Sequence, residues 1–553
     1  MRSGYTGHVT SSEWRWVITM SSALVLLAFI PFLWVVLSSP PQQQLQFMGA
    51  LHDYQNAASD LSKIVQGEQG MWLTTTLHTP EPHTGSLMDF VYVLLGWIAQ
   101  ITSLETIIVF HVARVGAALF MYMAVYYLAA VIWMRIRTRR IFFILAVTGS
   151  GFGWLIAPLN QYVRYPDISA NVMFPFHATL VNVHFPLTIG AISILTSGFI
   201  WVLRPGNREN PSVTNSGLII FMLGLLITLI YPQALVPLVI AFVGLLLMRA
   251  LRGRGISTRE LRWILWFLVP ALPLLAYYVI VFVYNPLIAD IWVQKNIASP
   301  PDLLALVIGL GLPLLIAVPG LWRAVRYFEP DGNQFMLVWL VVMLLLMYLS
   351  PIVQMNFAIG LMIPLAFFGA RAIEDHWFKL IARPWRYRIL FAIFPLMVVS
   401  HLYVLLTPVM QLDSGRLYEV SGVLLQRDYA FAFQGLERIA DTDDVVLAAP
   451  AVGTWLPAWS GLRVVYGSAS ETLDAGEKRQ AINEWYQLED PEACERLLNG
   501  FYSREGSYRV RFIFYGPLER NIGDTVCLDE MLPVFQFGDV TIYRNPIANR
   551  VPE

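Results

Sequence analysis

The chain has 553 residues, of which 56% are hydrophobic and only 14% are charged, and its net charge is −1. Its mean hydropathy is +0.57, whereas a soluble globular chain carries about 25% charged residues. This composition excludes an ordinary soluble protein. Repeated apolar runs of about 17–25 residues match the length that crosses a hydrocarbon core of roughly 30 Å, and the sequence therefore predicts a polytopic α-helical membrane protein.

Eleven apolar runs follow one another along the chain and are predicted to be transmembrane helices. They occupy residues 16–39, 106–133, 141–157, 183–203, 217–231, 234–248, 263–285, 302–324, 335–350, 356–372 and 389–407. Clusters of Lys and Arg at 135–140, 249–262 and 379–388 mark one side of the membrane. Because cytoplasmic loops carry the excess of these residues, the amino terminus is predicted to be cytoplasmic and the carboxyl-terminal region extracytoplasmic. The polar lead and the lack of a small-residue cleavage site predict no removable signal peptide.

Residues 40–105 are predicted to form a long first outer loop that is rich in acids and histidines. Within this loop, the apolar stretch 87–104 is interpreted as a juxtamembrane helix. Counting it as a span would place the basic cluster at 135–140 outside, against the charge rule. Asp60 and Glu68 follow Asp53 at helical spacing, so they are expected on one exposed helix face.

After residue 407 the sequence becomes polar and mixed, which predicts a transmembrane domain at 1–411 and a small extracytoplasmic α/β domain at 412–553. Strands are predicted at 445–449, 462–466, 509–515 and 540–543, and helices at 430–439, 475–487 and 491–501. Cys494 and Cys527 both lie in this domain. An oxidising compartment permits a disulfide between them, but their spacing alone leaves the paired and the free forms open.

The first outer loop contains two candidate sites. Asp53 lies just beyond the first span, where a carboxylate can serve as general base on an acceptor hydroxyl or steer a metal; the alternative is a solvated loop acid. His78, Glu81 and His83, in the run HTPEPH, contain groups that can bind a divalent metal. The two prolines and the lack of a fourth ligand favour a turn at the membrane surface, so no metal ligand is assigned and a divalent metal stays an open alternative.

The second outer loop, residues 158–182, adds Arg164 and Asp167. Arg164 is one of few cations on the outer side, and a planar guanidinium suits phosphate. A lipid-headgroup contact or a salt bridge with Asp167 explains Arg164 equally well. Asp167 is the candidate for a second acid in the catalytic site.

Glu81, His83 and Gln354 are candidates for substrate binding, as are three further polar residues. Arg114 lies within an apolar run, where burying a guanidinium costs on the order of 3 kcal/mol, so it contacts either a phosphate or a neighbouring helix. Gln233 lies in the tight turn after Pro232 and is a candidate for lining a cavity. Lys295 lies in an outer loop and is a candidate phosphate contact, although an interfacial aromatic belt explains this loop as well.

The chain resembles the C-type (GT-C) membrane glycosyltransferases, in an uncharacterised bacterial branch. The resemblance rests on HDYQN around Asp53, on DLSKIVQGEQGMWLTTTLHTPEPHTG, VYVLLGWIAQ and FHVARVGAALF, and on VVLAAPAVGTWLPAWSGLRVVYGSASETLDAGEK. It implies a GT-C-like fold in a bacterial inner membrane, with Asp53 as the first-loop acid. It also implies a polyprenyl-phosphate sugar as donor and no nucleotide-sugar fold. Membrane lipids and proteins of a membrane complex are further expected partners; no nucleic acid and no certain cofactor are expected.

One segment departs from the pattern of the family. Between the ninth and tenth spans, relatives often carry a glutamine followed by paired arginines, whereas here Gln354 is followed by Met355, Asn356 and Phe357. In that case Arg164, Lys295 or Arg114 would bind the phosphate of the lipid donor. The alternatives to a glycosyltransferase are a non-catalytic GT-C-like subunit of a membrane complex and a lipid or solute transporter, although no inverted repeat favours the latter.

Overall fold

A computed structural model describes residues 8–38, 45–159, 162–204, 216–251, 255–329, 332–413, 422–500 and 508–546. Arg254 and other basic-cluster residues at 252–254, together with residues 40–44 of the first outer loop, lie outside the described residues. The helices, with their short 3₁₀ and π turns, span Ser11–Ser38, Tyr54–Glu68, Phe90–Thr102, Thr106–Ile132, Ile136–Thr148, Gly153–Ile156, Pro166–Ser169, Pro175–Val181, His184–Leu203, Ser216–Ile230, Pro232–Ala234, Leu235–Arg249, Thr258–Leu268, Ala271–Tyr284, Pro286–Lys295, Leu303–Tyr327, Asn333–Leu349, Met355–Ala358, Met362–Ala372, Ile373–Trp377, Phe378–Leu380, Arg383–Asp413, Arg427–Glu437, Pro450–Ser460, Ala475–Trp485, Pro491–Gly500, Pro517–Arg520 and Val526–Leu528.

The helices confirm a polytopic membrane protein. Within the described ranges, eight helices are long and apolar enough to cross a bilayer, and a ninth span forms if Thr258–Leu268 and Ala271–Tyr284, bent by 44°, count together. The bend falls at Pro270, because proline lacks the N–H that the helix would use and its ring clashes with the carbonyl of the preceding turn. The shorter apolar helices Ser216–Ile230 and Asn333–Leu349 coincide with the two remaining predicted runs. The juxtamembrane helix, Phe90–Thr102, has 13 residues, too few to span a bilayer.

The chain divides into two compact units. The first unit comprises Met1–Ile30, Val112–Val279 and Asn296–Thr407, and the second comprises Pro31–His111, Ile280–Lys295 and Pro408–Glu553. The second unit therefore combines three separate stretches of sequence, including most of the first outer loop. The division into a transmembrane domain at 1–411 and a separate domain at 412–553 stays a prediction.

The second unit contains all the strands among the described residues. They are β1 (Leu45–Phe47), β2 (Leu424–Gln426), β3 (Val445–Leu447), β4 (Arg463–Val464), β5 (Val510–Tyr515), β6 (Leu532–Phe537) and β7 (Val540–Arg544). One sheet has the order β4-β3-β5-β7-β6, and β1 pairs with β2 in a second, two-stranded sheet. β3 is parallel to β4 and β5, while β7 is antiparallel to β5 and β6. Together with its helices this forms the small α/β region that the sequence predicts.

A buried aromatic core and a disulfide hold this α/β region together. Trp485 and Tyr486 are fully buried against β3 and β5 residues such as Leu447 and Ile513. Cys494 and Cys527 form a disulfide. The helix Pro450–Ser460 begins at a proline and ends before Gly461, whose φ of 71° is left-handed, in keeping with the preferences of helix ends.

Two helices of the first outer loop cross at a pair of glycines. A Cβ atom on Gly96 would lie 2.2 Å from the carbonyl oxygen of Ile64, and one on Gly67 would lie 2.6 Å from that of Val93. Tyr54–Glu68 and Phe90–Thr102 can therefore approach each other closely. This contact buries Asp60, of which only 1% is exposed, so the expectation that Asp60 lies on an exposed face is wrong. Glu68, in the last turn, is half-buried.

Candidate functional site

Asp53 occupies the residue position just before the helix Tyr54–Glu68, in a left-handed backbone conformation and without a capping hydrogen bond from its side chain. Its φ of 51° and ψ of 43° are left-handed, a region that non-glycine residues rarely occupy and that often marks functional sites. Its Oδ1 accepts a 2.8 Å hydrogen bond from the Asn56 side chain. Burial raises the pKa of Asp53 above its ordinary value, although Asn56 and the positive charge of Lys295 oppose the shift. A carboxylate with a raised pKa is a stronger general base.

The second unit contains a buried network of ion pairs. Lys63 Nζ lies 2.5 Å from Asp89 Oδ2 and 3.5 Å from Glu471, while Lys295 Nζ lies 2.6 Å from Glu471 Oε1 and 3.8 Å from Asp89. The two ammonium groups and two carboxylates thus alternate. Burial opposes ionisation of Glu471, but Lys295 and Lys63 outweigh it and hold its pKa well below the ordinary range. The same attraction outweighs burial at Lys295, whose pKa is raised.

Asp60 lies beside this network and behaves differently. Tyr92 donates a hydrogen bond to its Oδ2. Burial raises the pKa of Asp60 to about 7, even though Lys63 and Lys295 lower it. Near neutral pH, Asp60 therefore exists in both its protonated and ionised forms.

A small pocket opens at the two lysines, and we call it the lysine pocket. Its lining includes Lys63, Lys295, Asp89, Glu471 and His83, with Thr74, Thr75, Thr76, Ser86, Met88, Ile288, Ile291 and Trp292. Its volume of about 50 Å³ corresponds to a few water molecules. The pocket suits a compact group such as a phosphate rather than a whole sugar ring.

Hydrogen bonds and an ion pair hold the turn that contains His78, Glu81 and His83. His83 Nε2 accepts from the backbone of Thr76, so Nδ1 carries the proton and donates to the carbonyl of Glu81. Glu81 forms an ion pair with the buried Lys478. The parts of the chain that the structure describes contain no group of three or more His, Cys, Asp or Glu side chains that could hold a metal.

In the first unit, Asp167 is fully buried at a helix start. Its Oδ2 accepts hydrogen bonds from the backbone of Gly153, at 2.8 Å, and from Ser400, at 2.5 Å. Burial raises the pKa of Asp167 to about 6, against the lowering effect of these donors. Arg164 is exposed, and no ion pair joins it to Asp167 among the described residues, so that explanation of Arg164 fails.

The remaining predicted residues of the first unit have defined contacts. Arg114 is buried, donates to the carbonyl of Leu180 at 3.0 Å and lies over the ring of Phe29, as expected for a contact with a neighbouring helix. Gln233 is 8% exposed, and its Oε1 has no hydrogen-bond partner in the described ranges. The Gln354 side chain donates to the carbonyl of Ser350. A role for any of these residues in binding substrate stays a prediction.

The sequence patterns do not predict Asp89 and Glu471 as partners of the lysines. The available signal was Lys63, the only cation in an acidic loop, which requires buried counter-charges if the loop folds into a core. Glu471 lies more than 400 residues further along the chain than Lys63, so no local pattern connects them.

Comparisons with known proteins show which fold the chain has. No protein-family model matches it, and no curated protein sequence does. ArnT from Cupriavidus metallidurans bound to undecaprenyl phosphate superposes with a TM-score of 0.54 at 13% identity, over 98% of this chain and 100% of that one. The apo form of ArnT gives a TM-score of 0.51 at 14% identity, with the same coverage. The archaeal oligosaccharyltransferase AglB from Archaeoglobus fulgidus, in complex with an inhibitory peptide and a dolichol-phosphate, gives 0.50 at 12% identity over 92% of this chain and 70% of that one.

These similarities extend along nearly the whole chain. The protein has the GT-C fold of the polytopic membrane glycosyltransferases, and it is a multi-pass membrane protein. The predicted fold class is confirmed.

Proposed function

We propose that the protein transfers a sugar from a polyprenyl-phosphate donor to an acceptor on the extracytoplasmic face of a bacterial inner membrane. The observation that carries the proposal is the fold shared over 98% of the chain with a structure that holds undecaprenyl phosphate. A fold alone does not define a reaction; the side chains that would perform the transfer are described next.

Asp53 is the proposed general base. It removes the proton from an acceptor hydroxyl while that oxygen forms a bond to the anomeric carbon of the donor sugar. The bond from the anomeric carbon to the phosphate oxygen breaks, and polyprenyl phosphate leaves with its electron pair. The raised pKa of Asp53 supports this role because it brings the carboxylate closer to the pKa range in which a base works best.

The lysine pocket is the proposed site for the donor phosphate. Its size fits a phosphate, and the Lys295 side chain, 25% exposed, is accessible to one. Lys63 and Lys295 would stabilise the charge that develops on the departing phosphate. Arg164 and Asp167 stay proposed as a phosphate contact and a second acid, respectively.

Mass spectrometry of the lipids that copurify with the protein tests the donor site. We expect the parent protein to retain a polyprenyl phosphate, and we expect Lys295→Gln and Arg164→Ala to lose most of it. Lys379→Gln, which removes an exposed lysine, is the matched control and should retain the lipid. Absence of any carrier lipid from the parent would contradict the proposal and favour a non-catalytic subunit.

A further inference from the structure

The second unit contains a larger cleft that shares His83 with the lysine pocket, and we call it the arginine cleft. Three arginines line it, Arg463, Arg509 and Arg511, together with Pro80, Pro82, His83, Thr84, Asn285, Asp443, Asp444, Val445 and Tyr508. Its volume is about 750 Å³, within the range of about 300–1,000 Å³ that is usual for small-molecule sites.

The arginines come together because of the sheet topology. β3, β4 and β5 are parallel neighbours, so their first residues lie at one edge of the sheet. Arg463 begins β4, and Arg509 immediately precedes β5. Asp443 and Asp444 lie at the same edge, because they immediately precede β3. Residues that are distant in sequence are thereby placed around one cleft.

Arg463 is the residue in this cleft that requires a ligand. Only 9% of it is exposed, and its Nε has no hydrogen-bond partner within the part of the chain that the structure describes. No ion pair of Arg463 exists among the residues that the structure describes. A buried guanidinium without a partner anion is costly, because it loses hydration without a compensating bond.

The neighbouring acids do not meet this requirement. Asp444 lies 2.9 Å from Arg511, which also contacts Asp441 at 3.1 Å, so the charge of Arg511 is already compensated. Asp443 attracts Arg463 electrostatically but forms no ion pair with it within the described ranges. The Tyr508 hydroxyl and the Nε of Arg511 are further buried polar groups on the cleft that have no hydrogen-bond partner among the described residues.

We propose that the arginine cleft binds an anionic saccharide, with the carboxylate or phosphate of the sugar on Arg463. A guanidinium presents a planar fork of donors that matches either anion. The mixture of acidic, amide and hydroxyl groups around it provides partners for sugar hydroxyls. The volume of the cleft accommodates a sugar, whereas that of the lysine pocket does not.

The position of the cleft identifies the saccharide as the acceptor, and this assignment rests on the proposed function. His83 lines both the lysine pocket and the arginine cleft, so the turn around His83 separates the two. A saccharide in the cleft would thus be bound next to the donor phosphate. Binding itself requires no donor and no transfer.

Ligand-observed NMR with the full-length protein in detergent tests the proposal. The probes are glucuronate and glucose-6-phosphate as anionic sugars, glucose as the neutral sugar, and acetate and inorganic phosphate as anions without a sugar. We expect at least one anionic sugar to bind the parent about tenfold more tightly than glucose and than its matching free anion. Arg463→Gln should weaken that binding about tenfold or more, whereas Arg520→Gln, which removes an exposed arginine of the same region, should leave it within about twofold.

Three results would overturn the proposal: no anionic sugar binds better than glucose, a free anion binds as tightly as the matching sugar, or Arg463→Gln retains the parent affinity. If Arg463→Gln does not fold, Arg463→Lys keeps the charge but removes the fork, and unchanged affinity in that variant would overturn the proposal equally. Saccharide binding measured by NMR does not depend on the copurifying lipid. The proposal for the cleft and the proposal for the donor site can therefore be contradicted separately.

Discussion

The Tyr92 hydroxyl donates a hydrogen bond of 2.7 Å to Oδ2 of Asp60, across the contact between two helices of the first outer loop. Both residues are buried. This bond holds a carboxyl group with a raised pKa beside the two lysines. The charged groups that influence this pKa are Lys63, Lys295 and Asp89.

Asp60 should make stability depend on pH. Its folded pKa of about 7 exceeds the ordinary value of 3.8, so between these values the folded state binds more protons than the unfolded state. The free energy of unfolding therefore decreases as the pH rises from about 4 to about 7. Thermal unfolding measured at several pH values should show a weaker decline for Asp60→Asn, and Asp529→Asn, at an exposed acid, should follow the parent. Identical slopes in all three proteins would contradict the assignment.

Asp53→Asn should abolish most of the sugar transfer. Loss of a general base typically reduces the rate by about 10²–10⁴-fold. Asparagine preserves the size of the side chain, so the copurifying polyprenyl phosphate should be unchanged. The check is turnover of a sugar-loaded carrier alongside lipid mass spectrometry; full turnover in the variant would rule out Asp53 as the base.

Glu471→Gln should destabilise the second unit. The substitution leaves Lys63 and Lys295 with a single close acid, and removing one partner of a buried ion pair costs about 3–5 kcal/mol. A clear decrease in the unfolding temperature is expected for Glu471→Gln but not for Glu484→Gln, where the acid is exposed. Equal stability of the two variants would show that the buried network contributes little.

Gly96→Ala should separate the two helices that cross in the first outer loop. The new Cβ would lie 2.2 Å from the carbonyl of Ile64, and relieving such overpacking costs about 1–3 kcal/mol. Gly116→Ala is the matched control, because nothing lies within 4 Å of a Cβ at that position. Thermal unfolding should distinguish them, and a neutral Gly96→Ala would mean that the helices can shift freely.

Removal of the disulfide should lower stability by about 2–4 kcal/mol, since Cys494 and Cys527 are 33 residues apart. The double variant Cys494→Ser, Cys527→Ser should unfold at a lower temperature than the parent. Reductant should lower the unfolding temperature of the parent towards that of the variant and leave the variant unchanged. A parent insensitive to reductant under unfolding conditions would argue against the bond.

The sequence predicts those parts of the structure that depend on local patterns. Every predicted apolar run is largely helical, although the runs at 141–157, 263–285 and 356–372 are each divided into two helices. Membrane spans can be predicted in this way because they need only length and apolar composition. β6 was missed because it contains Pro533 and is mostly exposed, so it lacks alternating apolar residues. β1 and β2 have three residues each, too few to show a period. The helix Pro450–Ser460 was missed because Gly453 and Pro457 interrupt its pattern.

The candidate site was only partly predictable. Lys63 and Lys295 were visible as scarce cations, but pairing with Glu471 depends on contacts between distant stretches of sequence. Asp60 has the spacing of an exposed helical residue, and only the glycine-mediated helix crossing explains its burial. Arg463 gives no signal in sequence, because the cleft around it exists only once the parallel strands are aligned.

The pairing of β1 with β2 also constrains how the protein is made. Leu45–Phe47 pairs with Leu424–Gln426, so β1 is synthesised long before its partner and stays unpaired while nearly all of the membrane-spanning sequence is made. At about 5–20 residues per second, roughly 380 residues require about 20–75 seconds. During that interval β1, in the acidic loop that contains Asp53, lacks the hydrogen bonds to β2. A chaperone or the translocation machinery could bind this unpaired strand most readily at that stage.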